Sequence, residues 1–239
     1  MQRRRLRCYN VAMANRYFLP NLPAPGRCDL PDELAHHLGR VLRVRAGDRM
    51  VLGDGRGHSA QATATDVGRR GVRVDVAAAT FEPAPMRALT LAFAVPRLPR
   101  VEWLLEHGTE VGVACFQPIW TERTRPVATR DDRWSRIVAA AAGQSDRAWL
   151  PTVAPGCELG ELLARTELPA ARYVARPDGA APAAAPAGTA LLLVGPEGGF
   201  SAAEVAAIDR AGCRSMRLGR HVLRTETAAL VGAAVLLLD

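Results

Sequence analysis

Ala190-Leu191-Leu192-Leu193-Val194, then Gly195-Pro196-Glu197-Gly198-Gly199-Phe200, then Ser201-Ala202-Ala203-Glu204 form the passage on which the fold turns. Five consecutive apolar residues ahead of Gly-Pro predict a strand buried on both faces, as in a parallel sheet. Ser201 with Glu204 three residues later is a capping box, so a helix starts there and runs through Val205 and Ile208. Gly212 stands where that helix should end. Ligands of open α/β sheets bind outside the carboxyl ends of strands, which makes the loop 195–200 a candidate site. Its glycines let main chain approach a ligand closely. The loop is not G-x-G-x-x-G, and the chain has no P-loop Gly-Lys-Ser/Thr. Glu197 would also repel a pyrophosphate. The loop therefore reads as a backbone-amide cradle for a ligand without phosphate at that spot, or else as a plain strand-to-helix turn.

Downstream the pattern repeats. Ser215–Leu218 reads as a strand, and residues 226–238 as a nearly all-apolar helix, too short to cross a bilayer and so expected to pack inside the protein. Between them lies Leu218-Gly219-Arg220-His221-Val222-Leu223-Arg224-Thr225-Glu226-Thr227, dense in polar residues that packing does not explain. Thr225 or Thr227 would serve as that helix's N-cap. A third polar group, Gly143-Gln144-Ser145-Asp146-Arg147, closes a predicted helix and is weak evidence alone.

Upstream, from residue 88, the chain alternates strands and helices. Strands are expected at Leu89–Val95, Val113–Ile119 and Arg172–Ala175, and helices at 101–111 and 131–143. The Ala- and Pro-rich stretch 177–188 reads as a loop. Before residue 83 the signals are different. Residues 31–43 have helical spacing with acidic residues in the first turn. Arg49–Leu52, His58–Val67 and Val72–Val76 then read as short strands, with turns at Asp54-Gly55 and Arg69-Arg70-Gly71. This half is expected to be a small β-barrel-like domain, joined through Glu82-Pro83-Ala84-Pro85. The basic segment 1–14 is read as a disordered extension, with Met13 a possible native start.

The formal net charge of +7 favours a polyanionic partner, nucleic acid first. All 31 basic residues are Arg, so no lysine can act as base or nucleophile. The cysteines, Cys8, Cys28, Cys115, Cys157 and Cys213, are scattered without a C-x-x-C pair, against a zinc site or a disulfide framework and consistent with the cytoplasm. No metal-ligand spacing is visible. His36 and His37 read as packing or RNA contacts, and His58 as exposed beside a turn. No apolar run reaches the length of a membrane span.

Taken together, the two carboxyl-terminal loops, with Val222-Leu223-Arg224-Thr225-Glu226-Thr227-Ala228 in the second, resemble the paired signature of the RsmE family of 16S rRNA (uracil-N3) methyltransferases, within the SPOUT superfamily. The resemblance continues in Arg16-Tyr17-Phe18, His37-Leu38, Val41-Leu42-Arg43 with Gly47-Asp48, Thr109-Glu110-Val111-Gly112-Val113, Gln144-Ser145 and Arg147, and it runs from residue 15 to the end. His107 stands where the family often has Lys, and Gly143 where it has an acidic residue.

The resemblance implies an α/β fold of two parts. A PUA-like RNA-binding β-barrel would span 15–83, and a SPOUT domain with a parallel sheet and a trefoil knot would span 88–239. It implies a cytoplasmic homodimer that methylates uridine N3 in 16S rRNA of the 30S subunit. S-adenosylmethionine would lie against Val194, Gly195, Glu197, Gly198, Gly199, Leu218, Gly219, Val222, Leu223, Arg224 and Thr225. Arg147 and Arg224 become candidates for charge stabilisation, and Glu110 and Glu226 for accepting the N3 proton. Arg16, Arg40, Arg43, Gln144, Ser145 and Arg147 become candidate RNA contacts. Methylation of a ribose 2′-oxygen and a non-catalytic assembly role stay open as alternatives.

Overall fold

The structure is a computed structural model, and it describes residues 16–68, 71–96, 98–124, 126 and 131–238. The basic segment 1–14 and the Arg69-Arg70 part of the expected turn lie outside the described residues. The chain divides into two units. The first runs up to Glu82 and takes in Asp146–Ala148; the second is Pro83–Ser145 with the chain from Trp149 onward.

Alternation builds the first unit. It contains β1 (Arg16–Phe18), β2 (Gly26–Asp29), α1 (Asp32–His36), β3 (Arg49–Gly53), β4 (His58–Gly68), β5 (Gly71–Val76) and β6 (Thr80–Phe81). The strand order is β1-β3-β4-β5-β2, with β6 on β4, and only β1–β3 is parallel. In β5, Val72, Val74 and Val76 are buried while Arg73 and Asp75 point to solvent. The buried side joins Leu38, Met50, Leu52, Ala60, Ala62 and Ala64 in one core. The helix expected over 31–43 is shorter than its apolar spacing implied. After α1 the chain widens into a π-turn, His37–Val41, closed by the Leu42 amide on the His37 carbonyl. That turn leaves Val41 and Leu42 exposed, and Arg43 follows in the left-handed region at φ 54°.

The second unit holds β7 (Arg87–Ala94), α2 (Leu98–Val111), β8 (Cys115–Trp120), α3 (Asp131–Gln144), β9 (Thr152–Val153), β10 (Cys157–Glu158), α4 (Leu159–Leu163), β11 (Ala171–Ala180), β12 (Gly188–Val194), α5 (Ala202–Arg210), β13 (Arg214–Met216) and α6 (Thr225–Leu237). Its sheet runs β10-β8-β7-β12-β11-β13, with β9 on β8, and every pairing is parallel. The side-chain period of two sorts the central strands between two cores. Leu89, Leu91, Phe93, Ala190, Leu192 and Val194 face α2, α3 and α6. Ala92, Ala94, Leu191 and Leu193 face α4 and α5. Coverage of both faces explains why β12 reads as an unbroken apolar run.

Two expectations are corrected. The stretch read as loop from 177 is strand as far as Ala180. Its Ala and Pro content hid it, and Pro177 is tolerated because the β11–β13 register shifts between Ala175 and Ala180. The apolar helix α6 is also not enclosed. Ala229, Gly232, Ala233 and Leu236 are buried, whereas Leu230, Val231, Val235 and Leu237 are only half-buried. Among the described residues no helix is long and apolar enough to cross a membrane.

Candidate active site

Where the register of β11 breaks off after Ala175, at the carboxyl end of β12, and in the segment after β13, the chain lines an open cavity of ≈ 480 Å³. Its wall comes from Ala175–Pro177, from Val194–Glu197 with Gly199 and Phe200, and from Arg217–Leu223 with Thr225 and Ala228. The Thr225 hydroxyl donates to the Gly195 carbonyl at 3.0 Å, so the two loops are bonded to each other. This corrects the expectation of Thr225 or Thr227 as N-cap. Arg224 holds the cap position with no side-chain cap, and Thr225, 2 % exposed, turns its hydroxyl across to the other loop.

The first loop is closed by its own main chain. The Gly199 amide bonds to the Pro196 carbonyl at 2.8 Å, and Gly199 takes the left-handed φ of 71° that a glycine adopts without strain. A Cβ at Gly195 would sit 2.9 Å from the Phe200 ring. Behind the loop the capping box forms as expected. The Glu204 amide donates to Ser201 Oγ, and the Ser201 amide donates to the Glu204 carboxylate at 2.8 Å. From outside, Arg123 donates to the Gly198 carbonyl, and Arg100 donates to Glu197 at 2.8 Å.

A pocket of this size, framed by main-chain groups at strand ends, suits a small-molecule ligand. A profile described as an RNA methyltransferase domain matches residues 82–237, and one described as an RNA methyltransferase PUA domain matches residues 30–77. Ribosomal RNA small subunit methyltransferase E of Mycobacterium bovis is 35 % identical over 232 residues, 90 % of this chain and 88 % of its own length. The chain belongs to the ribosomal RNA small subunit methyltransferase E family. The Bacillus subtilis family member is 30 % identical over 83 % of this chain and 84 % of its own. The Neisseria gonorrhoeae member, solved bound to S-adenosyl methionine, superposes with a TM-score of 0.84 at 31 % identity, covering 92 % of this chain and 95 % of that one.

Against that family background the expected residues do not all gather in one place. Val194, Gly195, Glu197, Gly199, Leu218, Gly219, Val222, Leu223 and Thr225 line the cavity. Gly198 turns its carbonyl to Arg123 instead, and Arg224 is exposed at the start of α6. Of the two candidate proton acceptors, Glu226 is buried, with its Oε1 3.6 Å from Arg100 Nε. Glu110 is elsewhere: it is half-exposed in the last turn of α2, 3.8 Å from His107. Ten residues of helix separate it from Arg100, about 15 Å along the axis.

The remaining candidates belong to the first unit or to the end of α3. Arg16 is 7 % exposed, and its guanidinium bonds Asp146 at 2.8 Å and Ser59 at 3.0 Å. Its charge is thus engaged inside the unit. Asp146 adopts a left-handed φ of 55°, and the next residue, Arg147, is half-buried, its guanidinium pushed down from the ordinary arginine value by that burial. Gln144 is exposed, and the Ser145 hydroxyl donates back to the Ala141 carbonyl. Arg40 and Arg43 are exposed at the π-turn.

Sequence reasoning missed Arg100, Arg123, Arg176 and Pro177. For Arg176 and Pro177 a signal existed, since they follow the strand predicted at 172–175 and strand ends are where such sheets bind ligands. Arg176 is held by Asp178 and Asp209. Arg100 and Arg123 had no local signal, because their partners lie 97 and 75 residues away in sequence.

Proposed function

We propose that this chain transfers the methyl group of S-adenosylmethionine to N3 of a uridine in 16S ribosomal RNA. The observation that carries the reading is the pair of loops joined by Thr225 and Gly195 around one cavity at the strand ends. The cradle fits the donor: the wall holds Gly195, Gly199 and Gly219, and among the described residues beyond their chain neighbours nothing lies within 4 Å of a Cβ built at Gly199 or Gly219. Residues 194–199 and 218–225 would hold the donor, which when bound supplies an electrophilic methyl.

The chain's own task is to make N3 nucleophilic. Its proton must leave, and the negative charge then spreads onto the flanking carbonyl oxygens. Arg147 and Arg224 would stabilise that charge, the kind of contact whose removal costs about 10²–10³ in rate. Glu226 is the better proton acceptor of the two candidates, because it adjoins the second loop while Glu110 lies at the far end of α2. Close in-line positioning would supply much of the remaining acceleration.

The finer architecture is part of the same proposal: a PUA-like barrel over 15–83 and a SPOUT domain over 88–239, with a trefoil knot formed by the loops around the cavity. The half-buried apolar residues of α6 support a homodimer. Arg40, Arg43, Gln144, Ser145 and Arg147 would contact RNA, and Arg16 would act through Asp146 rather than on phosphate. A cytoplasmic location fits the substrate.

The test is to incubate the purified protein with S-adenosylmethionine and 30S subunits from a strain lacking the gene, then digest and analyse nucleosides by mass spectrometry. 3-Methyluridine is expected. A 2′-O-methylated nucleoside in its place would move the activity to the ribose, and no donor uptake at all would leave only an RNA-binding protein.

A further inference from the structure

From the geometry of Arg100 we infer that this residue, in the first turns of α2, is a positioning residue for both donor loops, acting by neutralising the buried carboxylate of Glu226; the inference rests on the proposed donor site. Arg100 Nη1 donates to Glu197 Oε1 at 2.8 Å in the first loop, and Arg100 Nε lies 3.6 Å from Glu226 Oε1 directly after the second. One planar guanidinium thus reaches Glu197 in the first loop and the residue that directly follows Thr225 at the end of the second.

Magnitudes decide which of the two contacts matters. Arg100 and Glu197 are 37 % and 52 % exposed, and such solvated pairs contribute little. Glu226 is 9 % exposed, and its Oε2 is buried with no hydrogen-bond partner among the described residues. A buried carboxylate with one oxygen unsatisfied tolerates its charge only beside a cation, and removal of that cation is strongly destabilising locally. Glu226 is covalently next to Thr225, whose hydroxyl holds the Gly195 carbonyl. Loss of Arg100 would therefore force α6's first turn to move or to admit water, and the bond joining the loops would loosen. Donor affinity is what suffers, because the cavity wall is no longer assembled beforehand.

The test uses the full-length protein, with S-adenosylmethionine binding by titration calorimetry as the main readout and thermal melting as the folding control. Arg100→Met raises the donor Kd about tenfold, equivalent to about 1.4 kcal/mol. The deficit appears in KM for the donor. Arg100→Lys keeps a positive charge and restores binding to within threefold. Arg100→Met combined with Glu226→Gln, which removes both charges, recovers most of the lost affinity. A merely structural arginine would give no such recovery. Wild-type affinity in Arg100→Met overturns the inference, as does a double variant that binds no better than the single one. If Arg100→Met fails to melt cooperatively, the double variant carries the test alone and must bind within threefold of wild type. Wild-type protein that takes up no S-adenosylmethionine would instead sink the proposed function.

Discussion

Thr225 shows how one hydroxyl can mislead a local reading and still join the two loops of the candidate site. A threonine at the start of a helix is ordinarily a cap. Here the hydroxyl crosses to Gly195, thirty residues away in sequence. Thr225→Val keeps the side chain's shape and leaves the Gly195 carbonyl without its donor, which costs about 1–2 kcal/mol. Calorimetry should show S-adenosylmethionine binding weakened about tenfold, and an unchanged Kd would mean that the loops hold together without this bond. Gly198 acts through its lack of a side chain. A Cβ there would already approach Arg123 Cδ at 3.3 Å. Gly198→Val should therefore displace Arg123 from the loop and abolish donor binding in the same titration. Arg147 is the residue proposed to stabilise charge on the base. Arg147→Ala should lower the methylation rate by about 10²–10³, as loss of a charge-stabilising contact does, with the donor Kd within twofold of wild type; a matching loss of donor affinity would remove its catalytic role. The cavity-lining residues were legible because they are contiguous in two loops whose strand and helix flanks are unambiguous. Arg100 and Arg123 were illegible for the opposite reason: each is an ordinary surface arginine until the fold delivers its distant partner.

Among the elements, those with local chemical signals were read correctly in kind. The capping box of α5 formed from Ser201 and Glu204, and Gly212 follows the helix in the left-handed region at φ 72°. Ser201→Ala should cost about 1 kcal/mol and lower the melting temperature by about 2–4 °C. A melting curve superimposable on wild type would show that Glu204 compensates alone. Elements whose character comes from tertiary partners were read less well. β11 continues past Pro177 because Gly179 lies flat on β13, where a Cβ would meet the Met216 backbone at 2.5 Å. Composition cannot report such a contact. The π-turn after α1 is likewise set by packing, with Leu38 fully buried beneath it while Val41 and Leu42 stay in solvent. α6 was read as an interior helix from uniform apolarity, yet apolarity is equally what a helix shared with a second subunit requires. Gly232 fixes its seat, since a Cβ there would come within 2.7 Å of Leu192 Cδ2.

For the molecule as a whole, the +7 charge sets the character of its encounter with RNA. Affinity for 30S subunits should fall steeply with salt, and Arg40→Ala should reduce the slope of log K against log salt by about one. A slope unchanged by that substitution would place the π-turn off the RNA. Charge and composition made this partner class legible without any structure, whereas the membership of Asp146–Ala148 in the first unit was not legible at all. That membership has a practical meaning for anyone hoping to recombine such enzymes. Arg16, which bonds Asp146 next to Arg147 and is itself held by Ser59, is encoded 130 residues upstream of that aspartate. Grafting a foreign recognition module onto the methyl-transferring half would discard that fastening, and the hybrid would be expected to keep its two carboxyl-terminal loops while losing what holds the residue beside Arg147.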